Sequence, residues 1–187
     1  MAKNTSDQFS CFDFSVAEGI ARIHLNRPDV HNRFDEPLHR ELSTLVAQLP
    51  FMPEIKVLII SAEGKSFSAG GDMHMMIQAN GSKQMRDRLA QEARTIFDGL
   101  TGLSFPVITA VQGSAIGLGA TIVALSDIVV AWREAKIADP HVMLGLVAGD
   151  GGVTSWAQSI GLNRAKRYLL TGDRITAAEA HAMGMVT

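Results

Sequence analysis

Pro106 to Asp127, PVITAVQGSAIGLGATIVALSD, is the stretch from which the fold can be read. Val107 to Val111 is a short apolar, β-rich run, the pattern of a buried strand. Gly113, Gly117 and Gly119 crowd the loop that follows, and Ala120 to Leu125 resumes as an apolar helix. A strand entering a helix through a glycine loop leaves backbone N–H groups unpaired at the helix start. Those donors, with the positive end of the helix dipole, suit a negative oxygen. Glycine there lets a ligand approach the backbone closely. A P-loop would need Lys-Ser/Thr after its last glycine, but Gly119 is followed by Ala120 and Thr121. Gly117-Leu118-Gly119 opens a GxGxxG whose third glycine is replaced by Ile122, and it lies mid-chain, unlike a dinucleotide fingerprint. Tight helix–strand packing with no ligand is the competing reading of the stretch alone.

A second junction shifts the balance. Lys56 to Ser61 (KVLIIS) is strand-like, and residues 62 to 73 (AEGKSFSAGGDM) form a small-residue turn before a helix starting near Asp72. Two strand–turn–helix junctions in one parallel sheet would set two groups of backbone donors at the same edge. Two N–H groups converging on one point make an oxyanion hole.

At this point the residues resemble a family. Gly64-x-x-Phe67-Ser68-Ala69-Gly70-Gly71-Asp72-Met73 and Gly113-x-Ala115-x-Gly117-x-Gly119 resemble the crotonase (enoyl-CoA hydratase/isomerase) superfamily. So do Ser126-Asp127-Ile128, Pro140-x-x-x-Leu144-Gly145-Leu146, Gly149-Asp150-Gly151-Gly152, Leu170-Thr171-Gly172 and Thr176-Ala177-x-Glu179-Ala180. Leu25-Asn26-Arg27-Pro28 and Asn32 match at the start, so the resemblance runs collinearly through nearly the whole chain. It implies an α/β fold, a ClpP/crotonase-type spiral of ββα units, with residues 1–187 as one core domain. It also implies a protein that binds a coenzyme A thioester and stabilises its enolate.

Outward from these motifs, 187 residues with 47% hydrophobic and 19% charged content are enough for one good core. A formal net charge of -2 argues against nucleic acid or an anionic membrane as partner. The single Cys11 excludes an internal disulfide and a thiolate metal cluster, which fits a reducing compartment. Residues 1 to 10 lack the apolar core of a signal peptide, and no apolar run approaches the ~20 residues of a membrane span. The chain therefore reads as cytoplasmic. Phe12 to Ser15 and Ile20 to Leu25 predict a hairpin around Glu18-Gly19. Glu36 to Leu49 predicts an amphipathic helix with Leu38, Leu42, Leu45 and Leu49 on one face. Asp72 to Gly102 reads as helical with a break at Asn80-Gly81. Its Met73, Met75, Met76 and Met85 suit either core or an acyl pocket. Ile128 to Trp132 and Ile137-Ala138 read as strands, and Gly152 to Ile160 and Arg164 to Leu170 as helices. A last helix is capped by Thr176 with Glu179 and ended by Gly184.

The resemblance places the thioester oxygen between the N–H groups of Ala69 and Leu118. It assigns substrate contact to Arg27, Ser68, Gly70, Gly71, Asp72, Met73 and Gly117, with Arg27 and Arg33 the nearest cations for coenzyme A phosphates. The two glutamates used by hydratases of the family fall here at Thr121 and His141, neither of them a carboxylate. Thr121 has no useful pKa for proton transfer, whereas His141 could act near neutral pH. Asp150 is the remaining carboxylate beside them, as a proton carrier or as a cap of the Gly152 helix. Coenzyme A enters as part of the substrate, with no tightly bound cofactor and no metal. Family members continue past Thr187 into a helical segment that covers the site and builds trimers, so this chain is expected not to trimerise. A non-catalytic assembly protein that has lost the glutamate pair is the alternative.

Overall fold

A computed structural model describes residues 3, 4 and 8–187; the other residues of the polar N-terminal decapeptide, read above as lacking a signal sequence, lie outside that description. The chain opens with β1 (Lys3–Asn4), β2 (Phe12–Ala17) and β3 (Ile20–Leu25), followed by α1 (Glu36–Gln48). The hairpin between β2 and β3 turns at Glu18 (φ 54°) and Gly19 (φ 82°). Asp35 caps α1 by accepting from the Leu38 N–H, and the predicted leucine face is buried in the hydrophobic core.

A repeating unit then builds the body. β4 (Val57–Ala62) and β5 (Ser66–Ser68) lead into α2 (Met73–Gly81) and α3 (Lys83–Thr101). β6 (Val107–Val111) and β7 (Ser114–Ile116) lead into α4 (Leu118–Leu125). β8 (Ile128–Ala131) and β9 (Lys136–Ala138) lead, through a 3-10 turn at His141–Leu144, into α5 (Gly152–Ile160). α6 (Leu162–Thr171), β10 (Ile175–Thr176) and α7 (Ala177–Met183) close the described chain. The first strand of each unit joins a six-stranded sheet of order β1-β2-β3-β4-β6-β8, and the second joins a four-stranded sheet of order β10-β9-β7-β5. Successive ββα units wound in this way are the crotonase-type spiral.

This corrects the expectation of one parallel sheet with a plain turn at each junction. After β4 and β6 the chain leaves the large sheet and makes three residues of a second one, with β5, β7 and β9 parallel. The strands of the large sheet alternate rather than being buried on both faces: Val107, Thr109 and Val111 are buried while Ile108 and Ala110 are half-buried. The helical break falls at Ser82, which caps α3 through the Met85 N–H, one residue past the predicted Asn80-Gly81. The capping box of Thr176 and Glu179 and the left-handed Gly184 at the end of α7 form as predicted. No helix among the described residues is long and apolar enough to cross a membrane.

Candidate active site

The glycine loop ahead of α4 makes one wall. Gly117 sits at φ 54°, ψ −122°, a conformation open to glycine alone without strain. Its N–H is taken by the Ala138 carbonyl at 2.9 Å. The next amide, Leu118, is the first residue of α4 and has no intrahelical acceptor. Among the described residues it has no hydrogen-bond partner.

The turn after β5 makes the facing wall. Gly70 has φ +84°, and a Cβ there would meet the Ile116 carbonyl oxygen at 2.9 Å, so the two loops touch backbone to backbone. The Phe34 N–H donates to the Gly70 carbonyl at 2.7 Å, and the Asp72 N–H donates to the Phe34 carbonyl at 3.0 Å. In such a parallel bridge the middle residue, Gly71, turns its own N–H away from Phe34. That N–H also has no partner among the described residues. A Cβ at Gly117 would stand 3.9 Å from the Gly71 nitrogen and 3.7 Å from Cε1 of His141. Two unpaired amides, of Gly71 and Leu118, thus border the same small space as an imidazole.

Ala69 is not the first donor. Its N–H is occupied by the His31 carbonyl at 2.9 Å, and the Gly70 N–H goes to Ser68 Oγ at 3.2 Å. The segment His31–Phe34, with left-handed His31 and Asn32, runs beside the turn and takes the amides on its side. The unpaired donor therefore moves two residues on, to Gly71.

Proton-handling groups meet at the opening of α5. His141 Nδ1 lies 2.5 Å from Asp139 Oδ1, and Nε2 lies 4.0 Å from Asp150 Oδ2. Donation from Nδ1–H to a carboxylate leaves Nε2 as the basic nitrogen of the neutral ring. Burial pulls the His141 pKa down, but the Asp139 hydrogen bond and the charges of Asp150 and Asp139 outweigh it, so the net shift is upward. Burial raises the Asp150 pKa, and the neighbouring Asp139 charge adds to the rise against the opposing pull of His141. Asp150 Oδ1 accepts from the Gly152 N–H at 3.2 Å and from Thr121 Oγ at 3.3 Å. Asp150 is therefore both a partial cap and a neighbour of His141. Thr121, fully buried, touches Asp150 rather than the open space.

Two clefts open on either side of Gly71, Met76 and His141. One, of about 330 Å³, is lined by Ala69, Met73, Gly117, Met143 and Arg174. The other, of about 320 Å³, runs past Leu118, Ala79, Ala93, Val147 and Asp150 to His39. Met73 and Met76 line the first cleft, whereas Met75 is buried and borders the second.

Three further expected contacts are redirected. Arg27 is locked in a bidentate pair with Asp35, at 2.7 and 2.5 Å, and braces the α1 cap instead of facing a phosphate. Ser68 is fully buried and donates to the Asn32 carbonyl at 2.8 Å. Asp72 caps α2 through the Met75 N–H at 2.7 Å and pairs with Arg33 at 2.9 Å. Ser68 and Asp72 are short polar side chains spent on nearby backbone groups, and Arg27 is spent on a carboxylate of its own loop.

Asp139, His141 and Asp150 could each offer a ligand atom within 4.8 Å of the others. The Nδ1–Oδ1 separation of 2.5 Å is shorter than two ligand atoms hold across an ion at metal–ligand bonds of about 2 Å. That contact holds a proton. Asp139, His39 and Arg174 were not singled out from the sequence. For Asp139 the signal was present, a carboxylate two residues before a histidine across Pro140.

Comparison with known proteins gives the family and the fold. The enoyl-CoA hydratase/isomerase family pattern matches residues 15–187. A mitochondrial enoyl-CoA hydratase from Pongo abelii is 30% identical over 182 residues, covering 94% of this chain and 61% of that protein. A trans-2-decenoyl-[acyl-carrier-protein] isomerase from Streptococcus mutans is 30% identical, covering 92% of this chain and 66% of that one. The crystal structure of an enoyl-CoA hydratase/isomerase from Mycobacterium paratuberculosis superposes with a TM-score of 0.91 at 38% identity, covering 95% and 72% of the two chains. The chain thus spans 61% to 66% of the length of these two curated relatives.

Proposed function

The chain belongs to the enoyl-CoA hydratase/isomerase family, and on that premise we propose that it binds an acyl-CoA thioester and stabilises its enolate between the N–H groups of Gly71 and Leu118. The observation that carries this reading is the pair of unpartnered amides bordering one space with His141. A thioester oxygen seated there accepts two hydrogen bonds that strengthen as negative charge develops. Each such donor lowers the barrier by about 3 kcal/mol, and the positive end of the α4 dipole stabilises the same charge.

The proton is moved by His141 and Asp150. His141 Nε2 and Asp150 Oδ2 lie 4.0 Å apart, and both residues line the cleft shared by Gly71 and Leu118. With the carbonyl polarised, the α-proton passes to His141 Nε2 and is returned at the same or a conjugated carbon, so that no atom is gained or lost. Asp139 holds the ring through Nδ1 and stabilises the imidazolium. One basic nitrogen that takes and returns a carbon-bound proton suits a double-bond shift better than hydration, in which a group must also activate water. The cleft with Arg174 at its rim takes the phosphate-bearing arm, and the more apolar cleft takes the acyl chain. Coenzyme A is a component of the substrate in this account.

Turnover of a panel of saturated, 2-enoyl and 3-enoyl CoA thioesters tests it. We expect interconversion of the 2-enoyl and 3-enoyl members and weak hydration of crotonyl-CoA, with His141→Ala and Asp150→Asn each losing about 10²-fold in kcat. Binding of thioesters without turnover of any member would instead support a non-catalytic role for the fold.

A further inference from the structure

The acyl-chain cleft is lined by two polar side chains that the reaction does not use: Arg86, whose Nη1 donates to the Ala79 and Asn80 carbonyls, and His39, which has no such partner. His39, on α1, lines that cleft with its imidazole packed edge-on to Phe34 at 5.7 Å between ring centroids. The residue is 7% exposed, and its Nδ1 is enclosed with no hydrogen-bond partner. Nε2 has no partner among the described residues either, and it is not one of the enclosed unpartnered atoms. An imidazole kept dry and unpaired costs stability, which an apolar residue of similar size would not. Leu, Phe or Met at this position would extend the apolar lining of Met75, Ala79 and Ala93.

We propose that His39 selects the acyl group, and that the substrate carries an uncharged oxygen substituent, a hydroxyl or a ketone, on the chain beyond the reacting carbons. The inference rests on the acyl-CoA reading and adds the class of acyl group to it. Burial holds the His39 pKa down at about 4 despite the pull of Asp35, so the ring is neutral at pH 7. The Nε2–H tautomer leaves a lone pair on the enclosed Nδ1 and presents the ring proton to the cleft. That N–H donates to a carbonyl or hydroxyl oxygen and gives no charge to pair with a carboxylate. The cleft, of about 320 Å³, falls at the small end of the range for small-molecule pockets, about 300–1,000 Å³.

Calorimetric titration with hexanoyl-CoA, 5-oxohexanoyl-CoA, 5-hydroxyhexanoyl-CoA and adipyl-CoA tests the proposal, using the full chain and its His39→Leu and His39→Gln variants. The wild type is expected to bind the oxo or hydroxy thioester about 5- to 10-fold more tightly than hexanoyl-CoA, the worth of one neutral hydrogen bond. His39→Leu should abolish that preference while binding hexanoyl-CoA at least as well, and His39→Gln should keep part of it. Equal wild-type affinities, tightest binding of adipyl-CoA, or a preference that survives in His39→Leu would each overturn the proposal while leaving the acyl-CoA reading standing. Failure of all four thioesters to bind would overturn both.

Discussion

His141 and Asp139 are joined through Nδ1 and Oδ1 at 2.5 Å, with side-chain exposures of 15% and 1%. Asp139 Oδ1 also accepts from the His141 backbone N–H at 3.3 Å, which fixes the ring to its own chain reversal. Its other oxygen is buried and unpartnered beside Gly152, where a Cβ would stand 2.5 Å away. The carboxylate is thus held in place largely for the imidazole, and the consequences are measurable.

Asp139→Asn should lower kcat on the order of 10²-fold and move the pH profile. With the carboxylate present, His141 titrates above its ordinary range, so base-dependent activity rises only as pH passes that raised value. Without the charge that limb shifts to lower pH. A pH–rate profile whose limb stays in place while the rate falls would assign Asp139 a merely structural part.

The donor assignment separates two neighbouring prolines. Gly71→Pro removes an unpaired N–H and should cost about 10²- to 10³-fold in turnover. Ala69→Pro removes the bond to His31 and should lower thermal stability before chemistry. Gly71→Ala is the control, because its Cβ meets only the mobile end of Met76. The rates and melting temperatures of the three variants give the answer.

His39 predicts an acid limb in stability. Its folded pKa of about 4 lies below the ordinary 6.5, so the unfolded chain binds the extra proton as pH falls between these values, and stability falls with it. His39→Leu should flatten this part of a urea-denaturation pH series and raise stability at neutral pH.

Close backbone approach sets a different sensitivity. A Cβ at Gly113 would sit 1.9 Å from the Lys65 carbonyl oxygen, where the turns of two successive units cross. Gly113→Ala should cost about 3 kcal/mol or more. Gly81→Ala, with nothing within 4 Å, should be neutral or stabilising by about 0.5–1 kcal/mol. Thermal melts of the two variants check the contrast.

Much of the fold was legible because its signals are local. The Glu18-Gly19 turn, the leucine face of α1 and the Thr176–Glu179 box are each decided by residues within one or two turns. β5 and β7 were missed because three residues, with serine at one or both ends, are too few to show a period of two. Ala69 was misassigned because its N–H is claimed by His31, thirty-eight residues away in sequence, and local spacing carries no such information. Arg27 was misassigned for the same kind of reason: Asp35 lies eight residues downstream and meets it only once the loop has folded.

The central claim is that the Gly71 and Leu118 amides with His141 generate a thioester enolate. Exchange of the α-hydrogens of butyryl-CoA in deuterated water, followed by proton NMR, tests it without requiring knowledge of the natural acyl group or the complete reaction. The account predicts enzyme-dependent loss of the α-proton signal, reduced on the order of 10²-fold in His141→Ala and Gly71→Pro. Exchange by the wild type no faster than in buffer, with butyryl-CoA shown to be bound, would contradict it.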